Sequence, residues 1–262
     1  MERKNGITYR KLPGLTAQGV RIWGLLFLLF GMALNPKIQG ILASENSDFL
    51  FTTAGLILQL FHFSAIPLFV FLLVEGITHT VSLKNYAARI GILALAVQFP
   101  YNYAMYGKLF SFENLMTFRL NPVFGLLLAM VLLYFFRRYA GKTMKLILLK
   151  AVLWIMAFAW VKILHIEYGV PVILLAPIIY FLHRKKMVMI FVGCIAMTLC
   201  GFLDMPDGTS FFRTAAYVAS APFSFTILHF YNGERGEGNR YINYFAYPVI
   251  LLAIGLFARF VI

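Results

Sequence analysis

Long apolar stretches, separated by short polar or turn-forming segments, run through almost the whole chain. A membrane-spanning helix needs about 20 mostly apolar residues, and nine stretches approach or exceed this length. They cover roughly residues 20–35, 49–74, 88–106, 122–136, 146–164, 168–182, 187–203, 210–229 and 241–262. The breaks between them contain Gly, Pro, Asn or charged residues, which is typical of turns. The pattern therefore predicts an all-α polytopic membrane bundle of about nine transmembrane helices, with eight or ten as alternatives.

The composition supports a single domain embedded in lipid. Apolar residues make up 61% of the 262 residues and charged residues only 13%, against about 25% charged residues in a typical soluble domain. The chain shows no internal repeat and no polar stretch long enough for a soluble domain. Residues 1–262 are predicted to form one transmembrane domain with a short basic N-terminal segment, 1–19. Because Pro67 and the polar residues before it interrupt the second stretch, it is either one long helix or broken before the proline, with an interfacial helix at 49–60 and a span from about 64.

The net charge of +13 falls almost wholly on one side of the predicted bundle. With the N-terminus in the cytoplasm, 17 of the 23 Lys and Arg residues lie on the cytoplasmic side, as the positive-inside rule requires. We therefore predict a multi-pass cell-membrane protein whose basic charge faces the cytoplasm and needs no nucleic-acid partner. Cys194 and Cys200 lie in one apolar run and are interpreted as apolar fillers, and no metal site is predicted.

Two ionisable residues at the end of the second predicted helix are the first candidates for chemistry. Glu75 and His79 are four residues apart in Leu72-Leu-Val-Glu-Gly-Ile-Thr-His-Thr80, so they share one helix face, which we expect to point into the bundle. A carboxylate fixes the tautomer of a neighbouring imidazole and raises its basicity, so the pair could take a proton from an amine or hydroxyl. The alternative is a helix end that reaches the membrane surface. His62, deeper in the same helix, is either a second base or a core histidine.

A glycine-rich polar segment near the C-terminus is the second candidate. It reads Tyr231-Asn-Gly-Glu-Arg-Gly-Glu-Gly-Asn-Arg240 and lies on the same predicted side as Glu75. Backbone N–H groups exposed by glycines, beside cationic side chains, can hold phosphate. The candidate binding residues are Tyr231, Asn232, Gly233, Arg235 and Gly236, with Arg89 of the third helix as a further cation. A short positive-inside turn explains the segment about as well.

Several strings taken together resemble the TraX family of polytopic membrane proteins. They are Ala65-Ile-Pro-Leu-Phe69 with Leu73-Val-Glu-Gly-Ile-Thr-His-Thr80, Lys84-Asn-Tyr-Ala-Ala-Arg-Ile90, Phe99-Pro-Tyr-Asn102, Asn121-Pro-Val-Phe-Gly125, Tyr231-Asn-Gly-Glu-Arg-Gly236 and Tyr247-Pro248. The resemblance covers roughly residues 20–106 and 225–262, whereas the middle of the chain agrees only in hydropathy. As a set the strings are specific, although each alone is short.

The resemblance implies an acyltransferase-like protein of a bacterial inner membrane. The TraX family is named for a conjugation protein that acetylates the N-terminus of pilin, and it is similar to multispan acyltransferases that take acyl-CoA from the cytoplasm. It implies acetyl-CoA or another acyl-CoA as co-substrate, and a protein or cell-envelope acceptor. His79 would be the general base, with Glu75 orienting it. The phosphates of acyl-CoA would lie near Arg235, Gly233 and Gly236.

Three positions depart from the family pattern and leave other functions open. The Asp-His pair of the family's first span is replaced by Leu28-Leu-Phe-Gly-Met-Ala33, its Gly-Arg pair by His62-Phe63, and the His after its terminal Tyr-Pro by Val249-Ile250. A TraX-like component of conjugation or surface-structure assembly, without catalytic activity, is therefore the first alternative. A transporter or flippase whose path is lined by the ionisable residues of the second and third helices is the other.

Overall fold

Nine α-helices account for nearly all of the residues that the structure describes. The computed structural model describes residues 2–4, 7–9, 14–31, 53–107, 119–203, 211–238 and 240–260. The helices in these residues are α1 (Ala17–Gly31), α2 (Thr53–His79), α3 (Leu83–Tyr106), α4 (Pro122–Arg138), α5 (Met144–Ile163), α6 (Gly169–Leu182), α7 (Lys186–Leu203), α8 (Phe211–His229) and α9 (Arg240–Phe260). A short antiparallel hairpin, β1 (Glu2–Lys4) and β2 (Ile7–Tyr9), precedes α1. The helical prediction is confirmed apart from this hairpin, which the apolar pattern did not predict.

The helices follow the predicted stretches in number and order, but they differ in length. Two of those described are long and apolar enough to cross a membrane, at Gly55–His79 in α2 and along the whole of α5. Shorter apolar helices occupy Ala17–Phe30, Gly169–Leu182, Lys186–Phe202 and Tyr244–Phe257. Positions 32–35 of the first predicted stretch and 49–52 of the second lie outside the described residues.

The second helix runs without a break through Pro67, so the second stretch is one long helix and the broken alternative is wrong. Proline removes a backbone donor from a helix, yet packing and serine hydroxyls can compensate in apolar helices. Leu68 is fully buried next to the proline. The Ser64 hydroxyl donates to the Leu60 carbonyl over 2.7 Å and lies 3.3 Å from the Ser220 carbonyl of α8. These contacts pack α2 against its neighbours around the proline, and the helix continues to His79.

Helix α2 occupies the centre of the bundle, where it packs against α1, α4, α6 and α8. Small residues allow close approach at the contact with α8, as in many membrane helix pairs. The Ser224 hydroxyl there donates to the Ser64 carbonyl over 3.0 Å. Around this centre α7 packs on α6 and α8, while α3 packs on α4 and α9. The core residues of these helices are almost all apolar.

Helix α5 lies at the periphery and turns large apolar side chains outward. It packs against α4 and α6, yet only 11% of its most apolar stretch is buried inside the bundle. Its exposed residues include Ile155 and Ile163, at 67% and 64% exposure. Contiguous apolar surface of this kind marks a membrane or an interaction face.

Basic side chains tie the ends of distant helices together. At one end, called the basic end below, Arg137 of α4 donates to the Ile77 carbonyl of α2 over 3.3 Å. Lys186 at the start of α7 donates there to the Tyr231 carbonyl, just after α8, over 2.8 Å. These contacts bring together loops that the charge pattern assigns to one side.

The other end of the bundle is closed by a network of amides. Gln98 donates to the Asn102 side-chain oxygen over 2.7 Å, and it accepts from the Asn121 backbone and side chain. Asn121 is fully buried, and its side chain also accepts from the Val123 N–H, which caps the start of α4. The polar residues around Pro100 therefore tie α3 to α4.

Candidate functional site

Glu75 is the centre of a polar cluster at the basic end. Its Oε1 atom accepts a hydrogen bond from the Tyr231 hydroxyl over 2.6 Å and lies 3.0 Å from Nε2 of His79. The i, i+4 spacing on α2 explains the contact with His79. The contact with Tyr231 brings the glycine-rich segment, 156 residues further along the chain, to the same carboxylate. The two candidates from the sequence are thus parts of one site.

Glu75 and His79 differ strongly in exposure. The Glu75 side chain is 20% exposed and that of His79 is 71% exposed. The expectation that both face the bundle interior is therefore correct for Glu75 and wrong for His79. His79 is the last residue of α2, so no further helical turn lies beyond it to cover the imidazole.

The geometry fixes how the imidazole of His79 can act. An ionised carboxylate only accepts hydrogen bonds, so a neutral His79 donates to Glu75 through Nε2–H. Nδ1 is then the nitrogen with a free lone pair, the one able to take a proton. Because most of the ring is exposed, a molecule that approaches the basic end can reach it.

Tyr231 acts in this cluster as a neutral hydrogen-bond donor. Burial raises the pKa of Tyr231 well above its ordinary value, and the hydrogen bond to Glu75 and the nearby negative charge raise it further. Its hydroxyl therefore remains protonated at neutral pH. The ring packs edge-on against Phe71 of α2, with 5.0 Å between the ring centres, which aims the hydroxyl at the carboxylate.

The glycine-rich segment is held against the start of α1. The Ala17 N–H donates to the Glu234 carbonyl over 2.8 Å and the Gln18 N–H to the Arg235 carbonyl over 3.1 Å. The segment thus satisfies N–H groups that the first turn of a helix leaves unpaired. The segment presents carbonyls, not N–H groups, to that helix end. Because these carbonyls already accept from N–H groups in the first turn of α1, that turn is not free to bind a phosphate.

The predicted binding residues of this segment have different surroundings. The Asn232 side chain accepts from the Glu234 N–H over 2.9 Å, which shapes the turn. Gly236 has φ +73° and lies against Thr16, whose Cβ is 2.8 Å from the position of an added Cβ. Gly233 has φ +82° and open space around it. Gly233, Arg235 and Gly236 are all exposed, so a ligand can approach each of them.

Arg89 lies in the second turn of α3, close to the cluster. Its Nε donates to the Asn85 carbonyl over 3.2 Å, and its guanidinium lies 5.9 Å from the centre of the Tyr86 ring. Burial is the main cause that raises the pKa of Tyr86 to about 12, with Tyr244 adding to the rise and Arg21 and Arg89 opposing it. The Tyr86 hydroxyl lies against Gly76, next to Glu75.

His62 is not part of this site. It precedes Glu75 by 13 positions on the same helix, which corresponds to roughly 20 Å along the axis at about 1.5 Å per residue. Its ring packs edge-on against Tyr168, with 4.9 Å between the ring centres. The structure thus separates the candidate second base from Glu75 and His79.

Three further basic residues lie at this end, and no sequence motif pointed to them as candidates. Arg137 and Lys186 donate to backbone carbonyls beside the cluster, and Arg21 of α1 lies near Tyr86. Their common signal was their place in the predicted cytoplasmic segments, which does not distinguish them from other basic residues there. Among the described residues, no group of three or more His, Cys, Asp or Glu side chains is placed to hold a metal ion.

Comparison with known proteins gives one match. The family model described as TraX protein matches residues 44–258, which is most of the chain. No curated protein and no solved structure matches. The match includes α2, the glycine-rich segment and therefore every member of the Glu75 cluster.

Proposed function

Since the chain belongs to the TraX family, we propose that it is a multispan membrane acyltransferase that transfers an acetyl group from acetyl-CoA to an acceptor. The acceptor is a protein or a component of the cell envelope. The observation that supports this activity is the hydrogen-bonded series from Tyr231 through Glu75 to the exposed imidazole of His79. A carboxylate held by a neutral donor and paired with a reachable histidine is an arrangement for general base catalysis.

In the proposed reaction His79 moves one proton. As the acceptor amine or hydroxyl attacks the thioester carbonyl, Nδ1 takes its proton and Glu75 stabilises the resulting imidazolium. As the carbon–sulfur bond breaks, the imidazolium returns that proton to the sulfur of CoA. The products are the acetylated acceptor and free CoA, so atoms and charge balance.

The test of this proposal compares His79→Ala with His229→Ala in purified protein supplied with radiolabelled acetyl-CoA. Loss of a general base typically lowers a rate by about 10²–10⁴, so His79→Ala should lose most transfer while it keeps its affinity for acetyl-CoA. His229 is an exposed histidine at the end of α8, and its replacement should leave transfer unchanged. Full activity of His79→Ala, combined with loss in His62→Ala, would move the site about 20 Å along α2 and contradict the proposal.

A TraX-like assembly component without catalysis is the second candidate. The observation that favours it is the apolar stretch of α1 in place of the family's Asp-His pair, since Leu28, Leu29 and Phe30 occupy its described part. Acetyl-CoA binding without transfer or hydrolysis, in the wild type and in both histidine variants, is the result expected of it. Transporters typically bind their substrate at broken helices. Because α2 is continuous, the possible break in the second stretch no longer supports the transporter alternative.

We also propose that the bundle crosses the membrane several times with the basic end in the cytoplasm. Two helices of full crossing length and the apolar surface of α5 support membrane insertion, and the positive-inside rule supports the orientation. With an odd number of crossings, a C-terminal tag should be accessible in intact spheroplasts and an N-terminal tag only after permeabilisation. The reverse labelling of the two tags would contradict the orientation.

A further inference from the structure

Three arginines from separate parts of the chain lie near one another at the basic end, two of them beside Tyr86. The guanidinium of Arg89 lies 5.9 Å from the centre of the Tyr86 ring. Arg21 of α1 is also close enough to act electrostatically on the Tyr86 hydroxyl. The charge of Arg235, from the glycine-rich segment, acts on Arg21 in turn. The cluster therefore joins α1, α3 and the segment after α8.

Gln18 fixes two members of this cluster. Its side-chain oxygen accepts from Nη1 of Arg21 over 2.9 Å, and its backbone N–H donates to the Arg235 carbonyl over 3.1 Å. Gly238 lies directly against the Gln18 side chain, with the position of an added Cβ only 2.6 Å from Cδ. Gln18 thus holds the Arg21 side chain and the Arg235 backbone in place.

The positive charge of this cluster has no carboxylate partner in the described part of the chain. Arg21 is half-buried and bonds to a neutral amide, and Arg89 and Arg235 are exposed. The ion pair that the structure does form at this end is that of Glu75 with His79. A partly buried guanidinium without an opposite charge is costly. Arg21 is the partly buried member, and the like charges of the three arginines repel one another, so the cluster favours an anionic ligand.

We propose that Arg21, Arg89 and Arg235 form a binding site for a phosphate group. A guanidinium offers parallel N–H donors that match two oxygens of a phosphate. The Tyr86 hydroxyl packs against Gly76, so the bound phosphate lies beside the Glu75 cluster. The phosphate comes from the nucleotide part of acyl-CoA or from a lipid headgroup. The first source rests on the proposed function. Arg21, the arginine that anchors the site, does not belong to the glycine-rich segment.

The test measures binding of three probes to the purified full-length protein in detergent. Calorimetry follows inorganic pyrophosphate and adenosine 3′,5′-bisphosphate, and native mass spectrometry counts bound phosphatidylglycerol. Arg21→Gln and Arg89→Gln should each weaken binding at least fivefold, since charge-assisted hydrogen bonds are among the strongest in proteins. Arg21→Lys, which keeps the charge and loses the fork, should fall between. Arg184→Gln removes an exposed arginine from the α6–α7 turn and should stay within twofold of the wild type.

Each outcome of this experiment has a defined meaning. Loss confined to the two soluble probes identifies a nucleotide phosphate, and loss confined to the lipid identifies a headgroup phosphate. Both outcomes support the site. Absence of binding by the wild type, unchanged binding in Arg89→Gln, or equal loss in Arg184→Gln would overturn it. Arg89 is exposed, so this variant retains the fold even where Arg21→Gln does not. None of the probes carries a thioester-linked acetyl group, so normal probe binding by a protein that transfers no acetyl group counts against the proposed function alone.

Discussion

Replacement of Tyr231 by Phe removes one hydrogen bond from the Glu75 cluster and keeps the rest of the side chain. The hydroxyl donates to Glu75 over 2.6 Å, while the ring contact with Phe71 is available to phenylalanine as well. A hydrogen bond to a charged group contributes about 1.5–3 kcal/mol to stability. The Glu75 side chain is 20% exposed, so water can replace part of this bond. We therefore expect the free energy of unfolding to fall by about 1–2 kcal/mol.

Thermal unfolding in detergent provides the measurement. For a chain of this size, a loss of 1 kcal/mol lowers the melting temperature by about 2–4 °C. The matched control is Tyr139→Phe, because Tyr139 is exposed and its ring stacks on Phe135 with 6.4 Å between the ring centres. The control should melt with the wild type. A Tyr231→Phe protein that also melts with the wild type would contradict the hydrogen bond and with it the geometry of the cluster.

The same variant should alter the stability at alkaline pH. Burial and the hydrogen bond to Glu75 raise the folded-state pKa of Tyr231 above its ordinary value, which is about 10 in an unfolded chain. The stability from this difference is fully present below about pH 10. It is lost as the pH rises from there through the folded-state pKa, by up to about 1.4 kcal/mol per pH unit. Tyr231→Phe lacks this group, so its stability should fall less steeply above pH 10. Equal slopes would mean that the phenol ionises alike in both states.

Two further substitutions test the packing and the opposite end of the bundle. Gly193→Ala in α7 places a methyl group where the buried Phe225 ring lies and should lower the free energy of unfolding by about 1–3 kcal/mol. The control Gly91→Ala, whose added methyl group has its nearest neighbour at 3.9 Å, should be neutral or slightly stabilising. Equal melting temperatures of the two variants would contradict the contact of α7 with α8. Asn121→Ala removes the cap of α4 and the bond to the Ala94 carbonyl and should cost about 2–3 kcal/mol. Asn121→Ser, which keeps a capping oxygen and loses the amide donor, should melt between the alanine variant and the wild type.

The helices could be predicted from the sequence because they depend on local composition. Apolar length sets where a helix lies. The break at Pro67 could not be excluded in this way, because the Ser220 carbonyl that lies beside Ser64 belongs to α8. Each strand of the N-terminal hairpin has only three residues, too few to give a signal in the apolar pattern.

The candidate site was predictable where its members are close in sequence. The spacing of Glu75 and His79 places them on one helix face, and the structure shows that contact. The Tyr231 hydroxyl and Arg21 reach the same region from distant helices, and a single sequence contains no information on such long-range contacts. The exposure of His79 depends on which helices pack beyond the end of α2, which is likewise a property of the assembled bundle.

The basic end distributes its charges according to distinct roles. Arg137 and Lys186 bond to backbone carbonyls at or just beyond the ends of α2 and α8, where cations offset the helix dipole and satisfy unpaired acceptors. Glu75 meets the neutral donor Tyr231 and not an arginine. A bidentate arginine would compete with His79 for the carboxylate oxygens, whereas a tyrosine occupies one lone pair and leaves the negative charge in place. The carboxylate thus remains able to stabilise a protonated imidazole, and the remaining arginines remain available to bind an anion from outside the chain.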